Sequence, residues 1–179
     1  LQPGSARAYQ MLGDIYAGAE QDDQAILHYR KALEIEPGNV RIRLALGEVL
    51  VQAKRPQEAF AEAEAVLAAD AANRFALDLK GRALRDLRRF AEAEAAADAL
   101  VAADPKDAKA AYLRVTVAEA RRDFAGAAAL IEEIVARPPA ADEEGAGNRR
   151  IFLVHLGFAY QQLERYPEAA KAFARAIEA

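Results

Sequence analysis

The sequence predicts an all-α protein built from antiparallel helix pairs. Two observations carry this. The chain is 53% hydrophobic, yet its mean hydropathy is only -0.14. Much of its apolar content is therefore alanine, the strongest helix former because it loses no side-chain entropy on ordering. Strand-type runs of β-branched and aromatic residues are missing. The second observation is a recurrence. Gly13 and Ala25, twelve residues apart, return as Gly47 and Ala59 and as Gly81 and Ala93, each pair 34 residues after the last. A fixed period of this length is the mark of repeated helix hairpins.

In the first unit, residues 6–18 and 22–35 both have the apolar spacing of amphipathic helices. Ser5 and Asp22 are the expected N-caps, and Pro37 stops the second helix. About three residues join the helices, so they are antiparallel neighbours. Gly13 and Ala25 then fall where the helices cross and let the backbones approach. Tyr9, Leu12, Tyr16 and Tyr29 fill the space on either side.

The second unit begins after the expected cap Asn39, with Pro56 at the start of its second helix, where proline is tolerated. Asn73 caps the third unit and Asp107 the fourth, whose second helix is capped by Asp123. In the fourth unit Val115 replaces the glycine and Ala127 follows in register. Gly157 and Ala169 come 42 residues later, so eight residues are inserted before the fifth unit, in which Pro167 opens the second helix. Pro37, Pro105 and Pro139 share one phase, with Ala71 in the second unit. The expected units are about 6–39, 40–73, 74–107, 108–141 and 150–179, forming one domain. The insertion at about 142–149 ("DEEGAGNR") reads either as a mobile loop, one that could reach over a binding groove, or as a lengthened start to the next helix.

This unit resembles the tetratricopeptide repeat. The first unit matches at Tyr9, Leu12, Gly13, Tyr16, Ala25, Tyr29, Ala32 and Pro37. The fifth matches at Leu153, Leu156, Gly157, Tyr160, Ala169, Phe173 and Ala176. The middle units depart from the pattern. Arg43 replaces the first aromatic, Lys80 and Arg114 the leucine, and Ala63 and Ala97 the second-helix aromatic. The resemblance implies an α-solenoid, a right-handed superhelix of antiparallel helix pairs. Pro3 lies 34 residues before Pro37, so residues 1–5 read as the tail of a preceding unit. Neither end shows the polar cap a solenoid needs. The expectation is a segment of a longer array.

The resemblance also implies a function. In such arrays the first helix of each unit faces a concave groove that binds a protein or peptide. Transferring the groove positions gives Phe75, Asp78, Leu79 and Arg82 in the third unit, and Tyr112, Leu113 and Thr116 in the fourth. The fifth contributes His155 and Phe158, and polar positions elsewhere include Gln10, Arg41, Glu48 and Glu119. Exposed apolar clusters rimmed by polar groups mark binding surfaces. Some family members grip a C-terminal carboxylate with lysines and asparagines at set first-helix positions. Here Gln10, Asp14, Ala45, Phe75 and Leu79 stand there, so no such clamp is expected.

Other chemistries find little support. With no cysteine, disulfides and thiolate metal sites are excluded. His28 and His155 are the only histidines, lie in different units and lack partners at metal-ligand spacing; His28 reads as a helix-surface residue. No nucleophile motif is present, so no catalytic residue, cofactor or metal is assigned and the chain is not read as an enzyme. A net charge of -4 disfavours nucleic acid, although Arg82, Arg85, Arg88 and Arg89 form one basic stretch. The choice there lies between a solvated face paired with Asp78 and Asp86 and an anion contact in the groove. No apolar run is long enough to span a bilayer, and the compartment stays unassigned. Two rival functions stand beside the scaffold: a substrate-positioning region of a larger enzyme such as a transferase, and an architectural protein that self-associates through its uncovered ends.

Overall fold

The computed structural model describes residues 5–105, 107–137 and 143–179. Residues 1–4 of the stretch expected to end a preceding unit (1–5), Pro139 and the first residue of the expected insertion, Asp142, lie outside the described residues. Among those described there are ten α-helices and no strand: α1 (Ala6–Gly18), α2 (Asp22–Ile35), α3 (Val40–Gln52), α4 (Pro56–Leu67), α5 (Arg74–Asp86), α6 (Phe90–Ala103), α7 (Ala108–Ala120), α8 (Phe124–Ala136), α9 (Glu143–Gln162) and α10 (Tyr166–Glu178). The chain divides into two compact units, Leu1–Ala99 and Leu100–Ala179.

The caps follow the sequence with one exception. Ser5, Asn39, Asn73, Asp107 and Asp123 each accept a backbone N–H of the first helical turn. Asp22 does not cap α2. It is the first helical residue, and Gln21 holds the cap position without a side-chain bond. The reason is the turn before it. Glu20 adopts a left-handed backbone (φ 56°), and the N–H of Gln21 closes back on the carbonyl of Tyr16 at 2.9 Å, the closure of a Schellman motif. The same left-handed residue recurs at Lys54, Arg88, Arg122 and Glu164, with the matching bonds from Arg55, Arg89, Asp123 and Arg165. None is glycine, so each costs about 1–2 kcal/mol against the right-handed alternative. The tight turn is bought at that expense in every hairpin. Immediately after three of these turns an arginine pairs with the glutamate three residues on: Arg55 with Glu58, Arg89 with Glu92 and Arg165 with Glu168. The arginine bond is the main reason each of these carboxyls titrates below its usual range.

In the first unit, one buried cluster joins α1 to α5. It includes Ile26, Tyr29 and Leu33 of α2, Ile42, Leu46 and Val49 of α3, and Leu79 of α5. Ala25 and Ala59 are fully buried at the crossings. A Cβ added at Gly13 would lie 2.6 Å from the Tyr29 ring, so glycine makes the seat for that ring. The Tyr29 hydroxyl donates to Asp14 of α1 at 2.7 Å. Burial, then that bond and the Asp14 charge, push the phenol well above its ordinary value. His28, expected on the helix surface, instead stacks on Tyr16 (5.2 Å between centroids, 6° between planes) and on Tyr9 at 6.1 Å.

The crossing in α3 and α4 is filled differently. Ala63 stands where α2 has Tyr29, and it leaves the seat above Gly47 empty from its own hairpin. Leu79 reaches across from α5 to fill it, and a Cβ at Gly47 would overlap the Leu79 side chain. Leu79 is fully buried.

The second unit has its own cluster, joining α7, α8, α9 and α10. Here Val115 replaces the glycine and Ile131 stands where Tyr29 stands in α2. Both are fully buried in that cluster. Bulk has moved from one helix to the other, a volume-conserving exchange of the kind cores tolerate. In α9 and α10 the glycine–aromatic pair returns, with a Cβ at Gly157 falling 2.6 Å from Phe173. The insertion is helix, not a loop over a groove. Residues 143–149 lengthen the start of α9 to 20 residues, against 13 in α1, α3, α5 and α7. The guanidinium of Arg149 donates to the carbonyls of Val135 (2.8 Å) and Arg137 (3.1 Å), anchoring the longer helix to the end of α8.

Candidate functional site

The positions expected to face a groove lie on the first helices of the hairpins, α1, α3, α5, α7 and α9. In the first unit, adjacent first helices are joined there by polar pairs. Arg41 of α3 donates to Gln10 of α1 at 2.7 Å, and Arg82 of α5 pairs with Glu48 of α3. Arg82 also lies 3.1 Å from Asp78, one turn earlier. Burial opposes its charge, but the Glu48 bond and the charges of Asp78, Glu48 and Asp86 outweigh that and raise its pKa. Arg85 pairs with Asp86 at 2.8 Å, and Arg89 with Glu92 at 2.6 Å. Each of these three cations of the basic stretch thus has a carboxylate partner within the chain. Phe75 stands on α5 and is 60% exposed.

In the second unit these positions run along α7 and α9. His155 of α9 bonds through Nδ1 to both carboxylate oxygens of Glu119 on α7, each at 2.9 Å. Tyr112 presents its ring edgewise to His155 (5.3 Å, 82°) and to Phe152 (6.4 Å, 65°), and its own surface is partly open. Ile151, Val154 and Phe158 are exposed on α9, spaced three and four residues apart and so on one face. Phe158 rests edgewise on Phe124 at the start of α8 (5.8 Å, 82°).

Three residues expected in a groove are interior. Leu79 is buried because the alanine at position 63 vacates the seat it occupies. Leu113 and Thr116 are buried because α7 packs around much of its circumference, enclosing Ala110, Val115, Val117 and Ala118 as well. The Thr116 hydroxyl donates to the Leu113 carbonyl at 3.1 Å, which satisfies it without a ligand. The structure thus brings together Tyr112, His155 and Phe158 at the surface of the second unit. It places Phe75, Asp78 and Arg82 on α5 of the first. Sequence reasoning omitted Val154, although it stands at the same repeat position as Gln10. It also omitted Phe124 and Phe152, whose support of the exposed rings has no signal in the repeat pattern.

Among the described residues, no group of three or more His, Asp or Glu side chains gathers to hold a metal ion, and no helix is long and apolar enough to cross a membrane. The phenols of Tyr29 and Tyr160 are both raised, mainly by burial and then by their bonds to Asp14 and Glu132, so each is a neutral donor.

Repeated helix hairpins, with small residues at the crossings, define an all-α repeat protein of the protein-interaction class. Family models agree. A TPR repeat model matches residues 13–53, and tetratricopeptide repeat models match 79–142 and 152–179. The chain belongs to the tetratricopeptide-repeat family. Its fold is similar to that of MamA (residues 41 to the end) from Desulfovibrio magneticus RS-1, at 20% identity and TM-score 0.73, covering 97% of this chain and 93% of that one. It is similar to a tetratricopeptide repeat protein from Parabacteroides merdae at 14% identity and TM-score 0.83, covering 99% and 66%. It is also similar to the first TPR of Spaghetti (RPAP3) bound to the HSP90 peptide SRMEEVD, at 19% identity and TM-score 0.61, covering 66% and 94%. No curated protein sequence matches the chain.

Proposed function

We propose that this chain is a scaffold that binds a protein or peptide segment along the exposed row of its first helices, with the principal contact on α7 and α9. One observation carries the reading. Ile151, Val154 and Phe158 hold apolar surface in water along one stripe of α9, beside Tyr112 and a His155–Glu119 pair that already satisfies its own polar groups. Ile151 and Val154 keep about half their surface in water, and Phe158 stays exposed although its ring rests on Phe124; such patches mark partner surfaces. The stripe suits a segment with apolar anchors, extended or helical. Its ring contacts and hydrogen bonds form within the chain, so little ordering is left for the moment of binding. Phe75, with Asp78 and Arg82 on the same helix, is a separate exposed apolar position on the first unit. Leu79, Leu113 and Thr116 take no part in contact. The HSP90 peptide held by the Spaghetti domain supports a peptide ligand for a fold of this kind.

The test uses a library of short random peptides displayed on phage and selected on the immobilised chain. The expected peptides share apolar or aromatic anchors. Their affinity for the Ile151→Ser/Phe158→Ser variant should fall about tenfold or more, the effect of losing about 1.5–3 kcal/mol of burial per large side chain. Both residues are exposed, so helicity by circular dichroism should not change. Selected peptides that bind the variant as tightly as the parent would reject the assignment of this face.

A further inference from the structure

We propose that the His155–Glu119 pair selects what binds beside it: the segment received by the α7–α9 face carries a basic side chain, lysine or arginine, next to an apolar anchor. This partner chemistry rests on the peptide-binding reading of the face. A carboxylate accepts hydrogen bonds and does not donate them. Both Glu119 oxygens lie 2.9 Å from Nδ1 of His155, so the hydrogen between them is on Nδ1. A neutral imidazole has one N–H. Nε2 is then a bare lone pair, and the Glu119 bond on the other side of the ring fixes its direction. The bonds inside the pair satisfy Glu119 and Nδ1 and leave Nε2 to whatever lies outside. It has no hydrogen-bond partner among the described residues and is open to the surface.

The surroundings of this acceptor are apolar. Ile151 lies one turn before His155 on α9 and Phe158 one turn after it, both exposed. Tyr112 stands edgewise at 5.3 Å on α7. A segment that seats apolar side chains on these residues removes the water that Nε2 uses. An acceptor covered without a donor weakens binding, so the segment has to bring a hydrogen. Charge decides which donor. With the imidazole neutral, the pair carries the negative charge of Glu119, whose side chain is only 13% exposed. Among the described residues no Lys or Arg pairs with Glu119. Glu132 of α8 and Arg165, just before α10, reach α9 elsewhere, at Tyr160. A wholly apolar segment would therefore bury an uncompensated charge. An ammonium or guanidinium donating to Nε2 supplies the hydrogen and offsets that charge together. An acidic segment would bring a like charge to the same place.

The test takes peptides selected on the parent chain and weakened by Ile151→Ser/Phe158→Ser, which are the ones that use this face. Selection is at about pH 8, above the range in which imidazole takes up a proton. These peptides should carry lysine or arginine adjacent to an anchor. Norleucine in its place keeps the apolar stem and removes the charge. It should weaken binding to the parent about tenfold, and binding to Glu119→Gln clearly less. A second measurement needs no variant. Nitrogen NMR of the free chain should show His155 protonated at Nδ1 and bare at Nε2. The Nε2 resonance should move to a hydrogen-bonded position with the basic peptide and not with its norleucine form. Three results would overturn the proposal: face-binding peptides that lack a basic residue or are rich in Asp and Glu, an equal norleucine effect in parent and Glu119→Gln, or a His155 protonated at Nε2 in the free chain. Any of these leaves the face itself standing. Peptides that bind Ile151→Ser/Phe158→Ser as tightly as the parent would instead reject the face, and the proposal with it.

Discussion

Leu79→Ala is expected to lower the unfolding free energy by about 2–5 kcal/mol, the range for a leucine removed from a closed interior. Its side chain is fully buried and fills the seat that Ala63 leaves above Gly47. The same geometry predicts a coupling. Gly47→Ala alone drives a methyl group into the Leu79 side chain and should cost about 1–3 kcal/mol, as overpacking does. In the Leu79→Ala background that methyl instead enters the vacated space, and the helix gains about 1 kcal/mol from replacing glycine. The double variant should then be no less stable than Leu79→Ala. Urea unfolding of the four proteins forms the thermodynamic cycle. Additive effects, within about 0.5 kcal/mol, would show that Leu79 does not hold the Gly47 seat.

Gly13→Ala should destabilise the chain by about 1–3 kcal/mol, even though alanine is the better helix former. The added methyl would sit 2.6 Å from the Tyr29 ring. That ring cannot slide away, because its hydroxyl is bonded at 2.7 Å to Asp14 on the same helix as the glycine. Gly157→Ala presents the same 2.6 Å approach to Phe173. Phe173 has no hydroxyl to tether it and its ring is partly open to solvent, so it can tilt. The second substitution should therefore cost clearly less than the first. Thermal unfolding followed by circular dichroism compares them directly. A stabilised Gly13→Ala, or an equal loss in both, would contradict the tethered-ring account.

The helix boundaries were legible because the residues that set them act locally. Asn39, Asn73 and Asp107 cap wherever they are followed by a helix, and Gly13 with Ala25 marks a crossing by size alone. Asp22 misled because a left-handed residue before it moved the cap back to Gln21. Those left-handed positions are held by Glu20, Lys54, Arg88, Arg122 and Glu164. None has the turn chemistry of glycine or asparagine, so nothing in their identity announced them. Burial was less legible than helix boundaries: Leu79, Leu113 and Thr116 stand at positions expected to face a groove and are interior. Position within a repeat says which way a side chain starts, but whether it ends inside depends on its neighbours. Leu79 turned inward because a residue sixteen places earlier, Ala63, is small. That compensation runs between hairpins and has no counterpart in the pattern of one unit. Tyr112 and Phe158, by contrast, stay partly open to solvent, where the repeat register starts them.

Photo-crosslinking tests the central claim, that the α7–α9 row receives the partner, most directly. A benzophenone analogue of phenylalanine is placed at position 158 in one protein. In another it replaces Glu133, an exposed residue on α8 of the same unit. Each is irradiated with a peptide selected on the parent chain. The account predicts a cross-linked adduct from position 158 and none from position 133. Adducts from position 133 with none from 158 would place the partner elsewhere and contradict it.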